Sequence, residues 1–298
     1  ALSSSLSHLA WYNAVARAPS TQELLTRWTW EPSVIVGLIL LIAGYIYAVG
    51  PLRRRRELGP PASSAQITYF ALSVGVLVIA LLSPLDYVGD HYLFSAHMVQ
   101  HLLLAALWPP LVILSIPSWL AAALFRRRVL AAIALFLTYP AFTTIAFNAD
   151  IYLWHAPPLY DRTLTDEAVH VLEHVTFMAF GLLVYWPVLS PILTQRLAYP
   201  FQLLYLFLNG MFMMVLGIVF TFAPTAFYEP YVAAPRLWSI SAVTDQQVGG
   251  LIMWYPGNIP YAVLFVLAFY RWFDSGETEP VDAERLRSPS PTIGPPGP

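Results

Sequence analysis

The sequence predicts an all-α integral membrane protein, a seven-helix bundle, on three observations. Hydrophobic residues make up 58% of its 298 positions and charged residues only 11%, with a mean hydropathy of +0.61, whereas soluble domains carry about a quarter charged residues. Seven apolar runs approach the ~20 residues that cross a hydrocarbon core, at 33–50, 67–84, 93–116, 129–147, 167–188, 202–222 and 247–270. Backbone exposed to lipid must satisfy its own hydrogen bonds, and runs this long and continuous do so as helices rather than as barrel strands.

Taken in order, residues 1–30 form an exoplasmic segment. It lacks the basic start and apolar core of a signal peptide, so the first span is expected to act as the insertion signal. Ser20 and Glu23 have the spacing of a capping box, opening a helix over TQELLTRWTW whose Leu24, Leu25 and Trp28 suit the outer interface; an ordinary linker before the span is an equal reading. Residues 31–273 are the seven-span membrane domain. Its last span opens with Asp245, Gln246 and Gln247 and continues VGGLIMW, where Gly249 and Gly250 admit a closely packed helix. From residue 274 onward the chain is rich in Pro, Gly and Ser and too poor in apolar residues to pack, so a disordered cytoplasmic tail is expected over 274–298.

Arginine placement sets the expected orientation, because short loops rich in basic residues stay in the cytoplasm. All the basic positions are Arg. Eleven of them (Arg53 to Arg56, Arg126 to Arg128, Arg196, Arg271, Arg285, Arg287) follow odd-numbered spans, against Arg17, Arg27, Arg162 and Arg236 on the other side. The N-terminus is therefore expected outside and the C-terminus in the cytoplasm, as an odd number of spans requires.

The histidines share an address in this topology. His97/His101 in HMVQH and His170/His174 in HVLEH each open a span that runs inward from the outer face. Residues four apart lie on one helix edge, so each pair presents two imidazoles in a chelating arrangement. His91 sits at the outer mouth of the third span, His155 in the outer loop NADIYLWHAPPLYDRT, and His8 in the outer segment, so all seven histidines belong to the exoplasmic half. Ionisable side chains within a membrane are costly and mark functional sites by default.

Cysteine is absent, which excludes disulfides, iron–sulfur ligation and thiolate metal sites. A metal here must be held by imidazole, carboxylate, amide or thioether. Imidazole suits copper, zinc, iron and nickel, and thioether sulfur favours Cu(I). Met98, inside the first histidine pair, and Met213 are the candidate thioethers; Met178, Met211 and Met214 read as apolar filler. Asp245 is either a helix cap or, with Gln246, part of a cofactor site. Gln100, Asn209 and Glu173 are buried polar candidates for orienting the imidazoles.

At these residues the chain resembles a known family. HMVQHLLL, WPPLVIL, WHAPPLYD, HVLEHVTF with GLLVYWPV, and DQQVGGLIMW follow one another over about residues 90–258 in the order found in the polytopic CtaG-like family of cytochrome c oxidase assembly factors. The resemblance implies a multi-pass protein of the prokaryotic plasma membrane that helps mature a haem–copper oxidase by delivering or inserting copper. It implies functional roles for His97, His101, His155, His170, His174 and the Asp245-Gln246-Gln247 turn, with oxidase subunits as partners.

The residues and the resemblance favour one mechanism, in which an outer-side imidazole cluster accepts Cu(I) and passes it within the membrane to an oxidase subunit, as an assembly factor rather than an enzyme. Zinc and haem are the alternative cofactors. Haem would make an electron-transfer protein with axial His ligands. Zinc would make a membrane hydrolase, since HVLEH fits the HxxEH pattern with Glu173 as base. Di-iron desaturases also use His-x-x-x-His boxes, but on the cytoplasmic side. An accessory respiratory subunit would use the apolar faces and leave the histidines unexplained. A transporter would need broken helices and acidic relays through both leaflets. A net charge of −2 gives no reason to expect nucleic acid; lipid is the surrounding partner.

Overall fold

The computed structural model describes residues 18–277. Residues 1–17 of the expected outer segment, with His8, and residues 278–298 of the expected disordered tail lie outside the described residues; residues 274–277, expected to begin that tail, instead continue the last helix to Glu277. Among the described residues every regular element is helical.

Six helices are long and apolar enough to cross a membrane: Pro32–Arg56, Ser64–Leu81, Phe94–Ser115, Glu167–Leu189, Tyr199–Thr221 and Ala242–Ser275. The region expected to cross once at 129–147 is instead two helices, Arg128–Leu137 and Pro140–Trp154, bent by 61° and making a seventh crossing if taken together. Pro140 causes the break. It occupies the first turn of the second helix and leaves Tyr139 extended (φ −64, ψ 127), because a proline ring disfavours helical backbone in the residue before it. The second helix then runs on to Trp154 and sets His155 directly at its end.

Prolines shape three further elements. Pro84, capped by Ser83, opens a separate short helix, Pro84–His91, between the second and third spans; it carries Asp86 and Asp90. Inside the third span the hydrogen-bonding widens into a π-turn over Leu103–Leu107, just ahead of Pro109 and Pro110. The π-turn accommodates two residues that have no N–H and whose rings crowd the carbonyls four residues back. The last span is divided into Ala242–Trp254 and Ile259–Glu277 by a 3-10 turn at Pro256–Asn258.

Phe94–Ser115 is the central helix, with 56% of its apolar window buried, against 6% for Pro32–Arg56 at the periphery. Glycines set how closely neighbours approach. A Cβ on Gly181 would stand 2.7 Å from Pro109 Cγ and 2.8 Å from the Ala105 carbonyl oxygen, so only glycine lets the two histidine-bearing spans close at the π-turn. Gly250, expected to admit a close helix, does so: a Cβ there would lie 2.5 Å from Thr221 N.

The short N-terminal helix is Thr21–Thr26, capped by Ser20 with a reciprocal bond from Glu23, as the capping box predicts. The three residues expected at the interface divide between core and surface. Leu24 is buried against Tyr92 and Leu237, while Leu25 and Trp28 remain exposed. Arg27 stacks 4.2 Å over the Tyr87 ring, tying the segment to Pro84–His91.

Candidate metal centre

Four imidazoles from two helices converge. His97 and His101 share one edge of Phe94–Ser115, with ring centroids 4.2 Å apart, and His170 and His174 share one edge of Glu167–Leu189 at the same spacing. Across the helices His97 is 5.3 Å from His170, and His101 is 5.6 Å from His174. All four are buried, and so is Glu173. One donor atom each from His97, His170, Glu173 and His174 lies within 4.8 Å of the others. Donors bound ~2.1 Å from one ion in a tetrahedral arrangement stand ~3.4 Å apart, so the set must contract by up to about 1.4 Å to ligate. His101 adjoins this group, with Nε2 3.7 Å from Glu173 Oε1.

The hydrogen bonds fix a tautomer. Tyr231 donates its hydroxyl to the Gly89 carbonyl at 2.7 Å, so at 3.0 Å it can only accept from His97 Nδ1. Nδ1 of His97 therefore carries the proton and Nε2 the lone pair, and Nε2 is buried without a hydrogen-bond partner. The Nε2 atoms of His170 and His174, both ring nitrogens of His101 and both oxygens of Glu173 are likewise buried and unbonded. Thr163 faces Glu173, but its hydroxyl donates to the Tyr160 carbonyl. Buried polar groups in native proteins are nearly always paired, so this concentration of unmet donor atoms makes the cluster the candidate ligand site.

Asp90 lies across the cluster from Pro84–His91, 3.7 Å from Nδ1 of both His97 and His170. Burial, reinforced by the carboxylates of Asp86, Glu167 and Glu173, holds its carboxyl well above the usual range. The sequence reading missed Asp90 and Tyr231, which arrive on separate short helices. The only signal was Asp90 beside His91, seven residues before His97.

The other candidates fall into two groups. His155 and Met98 meet each other beside the cluster, with Nε2 and Sδ 3.4 Å apart. Asp245 instead accepts from the backbone N–H groups of Phe94 and Ser95, at 2.7 and 3.2 Å. It caps the histidine-bearing third span from the last one. Gln246 spends its amide on Phe227 N and the Thr225 carbonyl, and Gln247 donates to Ala223 O. The Asp-Gln-Gln turn thus clamps backbone around the site, with these side-chain groups committed. Met213 packs toward Gly257 in the apolar core. Gln100 donates to Ala80 O and Asp86 rather than to an imidazole, and Asn209 bonds Asn148, Thr144 and Tyr205. His91 is turned to the Tyr87 carbonyl.

Helices of membrane length that gather four imidazoles at one end define a multi-pass membrane protein with a buried polyhistidine cluster. Over residues 43–275 the chain matches the family described as cytochrome c oxidase caa3 assembly factor, and it belongs to that family. Uncharacterized proteins of Mycobacterium bovis and Mycobacterium tuberculosis are each 25% identical to it over 279 residues, and one of Mycobacterium leprae is 23% identical over 274. The alignments cover 85% of this chain but 40% of those proteins, so the chain spans about two-fifths of the length of the curated relatives it matches. No solved structure matches it.

Proposed function

We propose that this protein assists assembly of a haem–copper cytochrome c oxidase in a prokaryotic plasma membrane, binding copper at His97, His101, His170 and His174 and passing it to an oxidase subunit. The observation that carries the reading is the set of buried imidazole nitrogens without hydrogen-bond partners, gathered with Glu173 at one end of two adjacent spans. Metal ligation requires neutral imidazole, and the tautomer of His97 leaves Nε2 free for it. Family membership supports the assembly role. Copper is cargo here: imidazole ligands hold it, and a partner with a histidine site receives it with little change in ligand type.

The reading includes seven spans, with the bent pair as one, the N-terminus outside and the histidine ends of the third and fifth spans on the outer side; the excess of Arg at the opposite ends supports it. A second reading has one observation behind it. Three imidazoles with a carboxylate also suit zinc or iron, which would make the cluster a metalloenzyme centre with Glu173 as ligand or base.

Deletion of the gene in its host tests the proposal. Assembled oxidase activity should fall, the wild-type gene should restore it, and the His97→Ala/His101→Ala gene should not, while added copper restores part of it. Full oxidase activity in the deletion strain would contradict the assembly role. Complementation by the double variant would contradict the role of the cluster.

A further inference from the structure

His155 and Met98 form a contact that hydrogen bonding does not explain. His155 Nδ1 lies 2.7 Å from the Ile151 carbonyl oxygen, which can only accept, so Nδ1 carries the proton and Nε2 of the neutral ring bears a lone pair. That lone pair points at Met98 Sδ, 3.4 Å away. A thioether has no proton to give. Two electron-pair donors therefore face each other in a buried place walled by Phe177, Phe220 and Tyr160.

The separation is that of two ligands of one ion. Bonds of ~2.0 Å to nitrogen and ~2.3 Å to sulfur at a tetrahedral angle place the donors ~3.5 Å apart. Both side chains are held in place. The His155 carbonyl accepts from Tyr228 Oη at 2.9 Å, and its ring is anchored to Ile151. Met98 fills space that Gly249 leaves open, since a Cβ there would stand 3.3 Å from Met98 Cγ. A third donor is at hand in His101. It lies three residues beyond Met98 on the same helix, its centroid is 6.0 Å from that of His155, and both its nitrogens are buried and unbonded.

We propose that Met98 Sδ and His155 Nε2, with His101 as the shared third ligand, form a second metal site that is selective for Cu(I) and adjoins the His97, His170, Glu173 and His174 set. The selectivity follows from donor chemistry: thioether with imidazole is a soft set, whereas a set containing Glu173 takes harder divalent ions as well. His101, between the two, lets an ion change partners without leaving the protein. The proposal rests on the reading that the histidine cluster binds a transition metal.

Anaerobic titrations of detergent-purified full-length wild type and Met98→Leu with Cu(I), against a chromophoric Cu(I) chelator, and separately with Zn(II), test it, together with copper-edge X-ray absorption at limiting copper. Leucine conserves the volume of methionine. The wild-type absorption should contain a sulfur neighbour that Met98→Leu lacks, and the variant's Cu(I) affinity should fall at least ~10-fold, the lower end of what disturbing even an outer-sphere partner costs. Its Zn(II) affinity should stay within twofold of wild type, which also reports an intact fold. Copper bound by nitrogen and oxygen alone in the wild type, or equal Cu(I) affinity in both proteins, overturns the second site and leaves the cluster reading standing. A wild type that binds neither ion overturns the cluster reading and this site with it.

Discussion

Two groups of buried polar side chains sit within this apolar bundle, and they are treated in opposite ways. Around Asn209 each group is answered. Its amide donates to the Tyr205 carbonyl and Thr144 Oγ1, its oxygen accepts from Asn148, and Tyr205 donates in turn to the Val184 carbonyl. Around His97, His101, His170, Glu173 and His174, donor atoms at similar burial have no hydrogen bond. The first group joins helices Pro140–Trp154, Glu167–Leu189 and Tyr199–Thr221 and needs nothing more. The second is costly as it stands, and its geometry makes sense if something other than a hydrogen bond completes it. Burial of polar residues in a membrane segment therefore does not by itself mark a functional site. Several buried, unpartnered atoms of metal-ligating type gathered in one place make a stronger case.

Variants of the two groups should separate cleanly. The largest effect belongs to the ligands: His97→Ala/His101→Ala should lose all bound metal by elemental analysis, while the metal-free protein loses about 1 kcal/mol for the His97–Tyr231 hydrogen bond and a further cost for the two cavities left. Gly181→Val comes next. Its side chain would drive Pro109 and the Ala105 carbonyl away, spread the two histidine edges and lower metal affinity by at least ~10-fold, on the scale of disturbed supporting residues; unchanged affinity would show that the spans need not touch there.

A pH effect is expected at the rim of the cluster. Burial, outweighing hydrogen bonds from Thr29 and Gln100, pushes the Asp86 carboxyl up to about 6 from 3.8. Its charged form is thus disfavoured in the fold. The penalty is absent below pH ~4, grows as pH rises toward 6 and then levels, at up to ~3 kcal/mol from ~1.4 kcal/mol per pKa unit. Asp86→Asn, which keeps an acceptor for Gln100, should be more stable than wild type at pH 7.5 and equal to it at pH 4 in thermal melts. Equal stability at both pH values would contradict it. The smallest expected change is Asn209→Leu, which leaves one N–H of the Asn148 amide without its partner while the other keeps the Thr144 carbonyl, and should cost about 1–3 kcal/mol with metal binding intact.

Much of this was legible in the sequence, for identifiable reasons. The four imidazoles obey helical spacing and the spans obey the thickness of a membrane, so HMVQH, HVLEH and the apolar runs needed no tertiary information. Gly249 and Gly250 were readable as points of close approach. The bend at Tyr139 and the π-turn before Pro109 were obscured by continuous hydrophobicity, although Pro140, Pro109 and Pro110 were visible. Asp245 could not be read as the cap of Phe94–Ser115, because its partners lie 150 residues away and capping signals are recognised only locally. Tyr231 was hidden for the same reason: it fixes the His97 tautomer from a five-residue helix, Glu229–Ala233, in a loop that carries no periodic pattern.

Copper content per chain, measured side by side on detergent-purified wild type, His97→Ala/His101→Ala and Asn209→Leu after equal exposure to Cu(I), tests the contrast most directly. Near one equivalent or more in the wild type and in Asn209→Leu, with none in the double histidine variant, is the result expected from one completed and one uncompleted polar group. Equal copper in all three proteins would contradict it.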